Sequence, residues 1–279
     1  MGIYSQKKYK LWRYCMNSKL DKRRKEILNI LAKVPISSTQ QLAEETGVSN
    51  ETMRKDLDAL ADEGLILKVH GGVALAGGAV AEIPFDLRAT HYVTEKRAIA
   101  ASAIKLLQPK DIIILESCTT NLELAKELAL LPELLETLII ITNSFAIAST
   151  FDGGRKCRKM FFLGGWVHTQ QFSCLSYHTT ALLKEFHVSK AFLSGAALSE
   201  NYIVTGYYDE DVALQRAILE AAQKSILMID HSKFNQAAVF SVAPLSDFDY
   251  LITDKELSQE ALSYINDNDI TYIRSSPVP

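Results

Sequence analysis

The chain has 279 residues, 48% hydrophobic and 23% charged, with a formal net charge of −3 at pH 7; this describes one large or two smaller globular domains and excludes a disordered or fibrous chain. No apolar run reaches bilayer-spanning length and no signal-peptide pattern opens the sequence, so no membrane partner is expected and a cytoplasmic location is. Cys15, Cys118, Cys157 and Cys174 are scattered without a C-x-x-C pair, which argues against a disulfide framework or a metal site, and nothing calls for a cofactor.

Charge is unevenly placed. Residues 1–70 hold 13 Lys/Arg against nine Asp/Glu, whereas the remainder holds 17 against 24. The basic end is the candidate polyanion binder. Within it Lys7 to Lys25 contains nine cations and one anion, Asp21, which suits phosphate contacts, although a solvated basic tail reads the same way. Residues 1–18 show no clean period and read as a basic extension. Its first fifteen residues are expected to be poorly ordered, with Met16 a workable alternative start.

From Asp21 a helical pattern begins, with Asp21 as its cap and Ile27, Leu28, Ile30 and Leu31 as its buried stripe, ending near Lys33 before Pro35. A second helix opens at Ser37 or Ser38. Ser38 and Gln41 have capping-box spacing, Leu42, Ala43 and Thr46 face inward, and Gly47 closes the helix. The third starts at Ser49, whose hydroxyl can accept from first-turn N–H groups, with Glu51 where the helix dipole favours an anion. Met53, Leu57 and Leu60 fall at i, i+4 and i+7, while Asn50, Glu51, Arg54, Lys55 and Asp58 project elsewhere. Alone this is an ordinary amphipathic helix. Preceded by a helix and the tight Gly47-Val48 turn, it reads as the recognition helix of a helix-turn-helix. Gly64 ends it, and Leu65 to Val69 followed by His70-Gly71-Gly72-Val73 reads as a short hairpin, a wing beside that helix.

Leu75 to Pro84, rich in small residues, is the expected domain boundary. The organisation is then a basic extension over 1–18, a small α+β DNA-binding domain over 19–74, a linker over 75–89 and a larger domain over 90–279. Phe85, Arg88 and Glu95-Lys96-Arg97-Ala98-Ile99-Ala100 lead into a helix running to about Leu107, with a structural role at the junction. Beyond Pro109 apolar runs at Ile112 to Glu116, Leu138 to Thr142, Met160 to Leu163, Ala191 to Gly195, Ser225 to Asp230, Tyr250 to Thr253 and Thr271 to Ile273 alternate with helical patterns. Those helices are expected at Asn121 to Leu131, Phe145 to Thr150, Ala181 to Phe186, Asp211 to Gln223 and Ser258 to Asn268. The fold class is α/β with a mainly parallel sheet.

The carboxyl ends of these runs read Glu116-Ser117-Cys118-Thr119-Thr120, Thr142-Asn143-Ser144, Gly164-Gly165, Ser194-Gly195, Asp230-His231-Ser232-Lys233 and Thr253-Asp254. In open α/β sheets ligands bind outside those ends. Ser117, Thr119 and Thr120 precede a helix whose N–H groups would favour an anion such as phosphate, or they merely cap it. Cys118 at the same helix start could have a depressed pKa and sense redox state, but without a neighbouring thiol an inert pocket cysteine is the preferred reading. Each His reads as a hydrogen-bonded residue, because no metal-ligand spacing exists.

Two sets of residues resemble the DeoR-type bacterial transcriptional regulators. The first is Arg24 with Ile27 and Leu31, Ser38-x-x-Gln41-Leu42-Ala43, Val48-Ser49-x-x-Thr52-Met53-Arg54-Lys55-Asp56-Leu57, Gly64-Leu65 and His70-Gly71-Gly72. The second runs from Glu95 to Asp254: the Thr119-Thr120 loop, Thr142-Asn143-Ser144, Leu163-Gly164-Gly165, Lys190-Ala191-Phe192, Asp209-Glu210, Ser232-Lys233-Phe234 and Ala243-Pro244-Leu245-Ser246-Asp247. The resemblance implies a winged helix-turn-helix followed by a sensor domain related in fold to sugar-phosphate isomerases and CoA transferases. DNA contacts then fall to Ser49, Thr52, Arg54 and Lys55, with Ser38 and Asn50 beside them and Lys68 and His70 supporting from the wing. A phosphorylated sugar or related effector would be held by Ser117 to Thr120 and Lys233, with Asn143, Gly164, Gly165 and Asp209 around the remainder and Glu116 and Ser144 in the same loops.

The implied function is a DNA-binding regulator, a repressor of carbohydrate metabolism genes, acting on a double-stranded operator as a homo-oligomer, dimer or tetramer, and without catalytic residues. Departures from the family pattern stand at Glu116-Ser117-Cys118, where Asp-x-Gly is usual, at Gln215, where a Lys beside the Arg is usual, and at His168 and His231. They leave two alternatives: a sugar-phosphate isomerase or deaminase with Asp209, Glu210 or Asp211 as general base, and a regulator whose pocket has become purely structural.

Overall fold

The computed structural model describes residues 19–33, 37–63, 65–69, 72–75, 84–151 and 157–276. They divide into two compact units on either side of the 83/84 boundary. The expected extension, His70, Gly71, Gly64 and most of the segment between Leu75 and Pro84 lie outside the described residues.

The first unit contains helices α1 (Lys19–Lys33), α2 (Thr39–Thr46) and α3 (Asn50–Asp62) and the antiparallel strands β1 (Ile66–Val69) and β2 (Gly72–Leu75). Asp21 is not the cap of α1, since the helix already includes Lys19 and Leu20; an Asp in a first turn is favoured by the helix dipole wherever the helix begins. Ser38 caps α2 through the capping box, accepting from Gln41 N while Gln41 Oε1 accepts from Ser38 N, and Gly47 ends it at φ 67°. Ser49 caps α3 by accepting from Thr52 N at 3.2 Å. Ile27, Leu31, Leu42, Met53, Leu57, Leu60 and Ile66 form the buried centre, the stripes that the 3.6-residue period requires. The wing is tied to the chain before α2 by Ser37 N–H to Val73 O and Val73 N–H to Ser37 O, at 3.0 and 2.9 Å. A Cβ on Gly72 would collide with the Ser37 carbonyl, so this close approach requires glycine.

The second unit is built on a seven-stranded parallel sheet in the order β14-β13-β11-β8-β3-β4-β5. Its strands are β3 (Ile112–Leu115), β4 (Ile139–Thr142), β5 (Lys159–Phe162), β8 (Val188–Leu193), β11 (Ala222–Met228), β13 (Tyr250–Thr253) and β14 (Thr271–Arg274). The central runs are apolar on both faces, and two cores, around Ile114 and Leu227 and around Ile113 and Met228, fill the two sides. From β3 the chain winds outward through β4 and β5, then returns to β8 on the other side of β3 and proceeds through β11, β13 and β14. The order therefore reverses between β3 and β8, where an open sheet leaves a crevice at its carboxyl edge.

Its helices are α4 (Phe85–Arg88), α5 (Val93–Ile104), α6 (Thr119–Leu128), α7 (Pro132–Leu135), α8 (Phe145–Thr150), α9 (Tyr177–Leu182), α10 (Asp209–Ala221) and α11 (Gln259–Asp267). The single helix expected from Phe85 to Leu107 is thus two, separated by a turn in which Tyr92 has φ 52°. The sequence pattern also missed an antiparallel hairpin, β6 (Trp166–His168) with β7 (Ser173–Leu175), and a small antiparallel sheet of β9 (Ala197–Leu198), β10 (Ile203–Gly206) and β12 (Phe240–Pro244). These strands are two to five residues long, too short for an alternating pattern to register.

Candidate functional site

On the first unit, α3 buries Met53, Asp56, Leu57 and Leu60 and leaves Asn50, Glu51, Arg54, Lys55 and Asp58 exposed. Asp56 is the exception to the polar-out rule. Its carboxylate, 2% exposed, is held by the Arg23 Nε–H and lies 3.6 Å from Arg24 Nε, and Arg24 also pairs with Glu63 at 3.1 Å. Two cations of the basic run therefore fasten α1 to α3, so that run is not wholly a phosphate surface. Ser49 and Thr52 share a hydroxyl contact at 2.9 Å at the helix start. Lys55 reaches Glu51 at 3.0 Å, and Lys68 on the wing reaches Asp58 at 2.6 Å. Ser38 spends its hydroxyl on capping, and His70 lies outside the described residues.

On the second unit, the loop after β3 enters α6, with Cys118 as its N-cap, the sulfur accepting from Asn121 N at 3.2 Å. The Asn121 amide donates to Glu116 O and Phe192 O, both at 2.8 Å, and so ties the ends of β3 and β8. Asn143, at the end of β4, accepts from Ser117 N at 2.9 Å and donates to Cys174 O. Ser144 is fully buried and caps α8. Glu116, 7% exposed, accepts from Ser194 N at 3.1 Å and from Gln215 Nε2 at 2.6 Å.

Lys233 and Arg88 both lie near Lys96, and Arg88 and Lys96 lie near Cys118. Lys96, on α5, is 5% exposed and donates to Arg88 O and His91 O at 2.6 and 2.7 Å. Burial lowers its pKa to about 8; Asp230 opposes the fall, while Lys233, Arg88 and Cys118 all lie close enough to act on it. Arg88 donates to Gln171 Oε1 at 2.6 Å and lies over the Phe85 ring, which packs in turn on Phe172. Lys233 ends the short 3-10 turn His231–Lys233, at whose start Asp230 accepts from Ser232 N. Arg88 and Lys96 were expected to be structural. Their contacts accord with that role, since Lys96 ties down the turn between α4 and α5 and Arg88 reaches Gln171, and the same turn places both near Cys118. Sequence alone signals only two cations eight residues apart in what reads as a continuous helix.

The Cys118 thiol is pushed up to about 12 by burial and then by the neighbouring Glu116 carboxylate, which outweigh its hydrogen bonds and Arg88. A helix start does not activate a sulfur so thoroughly desolvated. Thr119 and Thr120 are buried. Other expected residues have partners of their own elsewhere. Asp209 is exposed and accepts from Glu210 N, and the Gly164 carbonyl accepts from the Thr179 hydroxyl. Gly165 has φ 148°, and a Cβ there would collide with the Leu175 carbonyl, so this glycine serves the packing of β6 on β7. Gln215, where the resemblance would place a cation, donates to the Glu116 carboxylate.

The architecture matches known proteins along its length. The DeoR-like helix-turn-helix domain profile covers residues 23–77 and the DeoR C terminal sensor domain profile covers residues 91–255. An uncharacterized HTH-type transcriptional regulator of Haemophilus influenzae is 32% identical over 243 residues, 87% of this chain and 93% of its own. The glycerol-3-phosphate regulon repressor of Escherichia coli is 27% identical over 252 residues, 90% of this chain and 98% of its own. Ribose 5-phosphate isomerase A of Methanocaldococcus jannaschii is similar over 50% of this chain and 53% of its own, at 18% identity and a TM-score of 0.37. This chain belongs to the DeoR family of helix-turn-helix transcriptional regulators.

Proposed function

We propose that this protein is a cytoplasmic, homo-oligomeric repressor of carbohydrate metabolism genes, released or tuned by a small phosphorylated sugar or polyol. Ser49 at the cap of α3, Asn50, Thr52, Arg54 and Lys55 on α3 and Lys68 on the wing face the operator, and Ser38 and His70 are further contacts; Arg54 reads base edges and Lys55 positions the helix on phosphates. The effector's phosphate lies between the Ser117 to Thr120 loop and the cations Arg88, Lys96 and Lys233, with Asn143 shaping the floor.

The observation that carries the effector reading is the charge balance around Lys96. Lys233 and Arg88 lie near this buried ammonium and add to the lowering of its pKa, against which the Asp230 carboxylate acts. A buried ammonium held among like charges is costly, and an anionic ligand relieves it. The Escherichia coli relative's role in a glycerol-3-phosphate regulon is consistent with that ligand chemistry. The enzyme alternative finds less support, since Asp209 and Glu210 are exposed in the first turn of α10 and Glu210 pairs with His168 at 3.5 Å. Thermal-shift screening of the full chain against phosphorylated and unphosphorylated sugars and polyols tests the reading. Stabilisation only by phosphorylated compounds is expected, and stabilisation by none contradicts it.

A further inference from the structure

The helix assigned to the operator is itself acidic. Between Asn50 and Asp62 it carries Glu51, Asp56, Asp58 and Asp62 against Arg54 and Lys55. Asp56 is accounted for by Arg23 and Arg24. The other three acids are exposed, and two of them hold lysines assigned to the DNA. Glu51 holds Lys55 at 3.0 Å within α3, and Asp58 holds Lys68 across to the wing at 2.6 Å. Asp62 adds to the field on Lys68.

A duplex carries about one negative charge per 1.7 Å of its axis, and sequence-independent binding is essentially all phosphate neutralisation. A carboxylate beside each phosphate-binding lysine opposes that term on every sequence alike. It also costs little to displace, because exposed ion pairs are worth roughly 0–1 kcal/mol. Base-edge contacts by Arg54, which discriminate between sequences, are not opposed in the same way.

We propose that Glu51 and Asp58 are specificity-determining residues that act as built-in competitors of the DNA phosphates for Lys55 and Lys68. They hold down binding to non-operator DNA and so raise the ratio of operator to random affinity. The proposal rests on the assignment of α3 and the wing to DNA.

The test uses the full chain and two labelled duplexes: one of random sequence, and one selected by the wild-type protein from a randomised pool. Affinities are measured by anisotropy at several salt concentrations for Glu51→Gln, Asp58→Asn, the double variant, Lys55→Ala and Lys68→Ala, with thermal melts verifying that each variant folds. Each acid-to-amide change is expected to raise random-duplex affinity by roughly two- to five-fold, with a smaller gain on the selected duplex and therefore a lower specificity ratio. Folded acid variants whose random-duplex affinity is unchanged or weaker overturn the proposal. If Lys55→Ala and Lys68→Ala leave both affinities unchanged, the assignment of this face to DNA fails instead. Asp58→Asn keeps the test decisive if Glu51→Gln weakens the first turn of α3, because Asp58 lies beyond that turn.

Discussion

Gln215 Nε2 donates to Glu116 Oε1 at 2.6 Å and to Ser194 O at 3.0 Å. These two side chains are both departures from the family pattern, and they meet: the longer carboxylate at the end of β3 is matched by a neutral amide on α10. Gln215→Leu leaves a buried carboxylate short of a donor, so it should cost about 1–3 kcal/mol in urea or thermal unfolding. An unchanged midpoint would mean that Glu116 is satisfied without it.

Arg54 is exposed on α3, away from the Met53, Leu57 and Leu60 stripe. Arg54→Ala is expected to weaken binding to the selected duplex by roughly 1–3 kcal/mol, with a smaller loss on random DNA, as for removal of a bidentate guanine contact. Equal losses on both duplexes would leave Arg54 a phosphate contact.

The Cys118 thiol, at about 12, carries almost no thiolate at neutral pH. Alkylation of Cys118 in the folded protein, followed by mass spectrometry at pH 7.5, should be far slower than that of free cysteine. A rate equal to or above free cysteine would restore the redox-sensor reading.

Lys96 has a pH signature with a definite sign. Its folded pKa is lowered to about 8 from 10.5, so between those values the unfolded chain binds more protons than the native one. Stability rises with pH across that window. Below pH 8 the lysine is charged in both states and its burial cost is constant. Relative to Lys96→Met, the wild-type protein should therefore gain on the order of 3 kcal/mol from pH 8 to 10.5. A pH-independent difference would mean that Lys96 is not buried as a charge.

Local chemistry made the first unit readable. Ser38 with Gln41, Ser49, and Gly47 are capping residues whose preferences are set within four positions of themselves, and each does what its spacing predicts. The apolar runs of the large sheet were readable for a similar reason, because strands buried on both faces need no partner to show their character. Asp56, Arg88 and Lys96 were not. Each is a charged residue on a helix, where exposure is the ordinary expectation, and only tertiary contacts decide that Asp56 faces Arg23 and that Lys96 is buried against the Arg88 and His91 carbonyls. The start of β11 was hidden in another way. Ala222 follows α10 directly with no Gly or Pro to mark the change, so the helical pattern seemed to run on to Gln223.

The most direct measurement is the affinity of the full chain for its selected duplex with and without the phosphorylated compound chosen by thermal-shift screening, in wild type and Lys96→Met. A change of roughly 5- to 150-fold is expected for the wild-type protein and little or none for Lys96→Met, whose affinity in the absence of the compound stays at the wild-type level. An equal response in both proteins, or no response of the wild type to any phosphorylated compound, would contradict it.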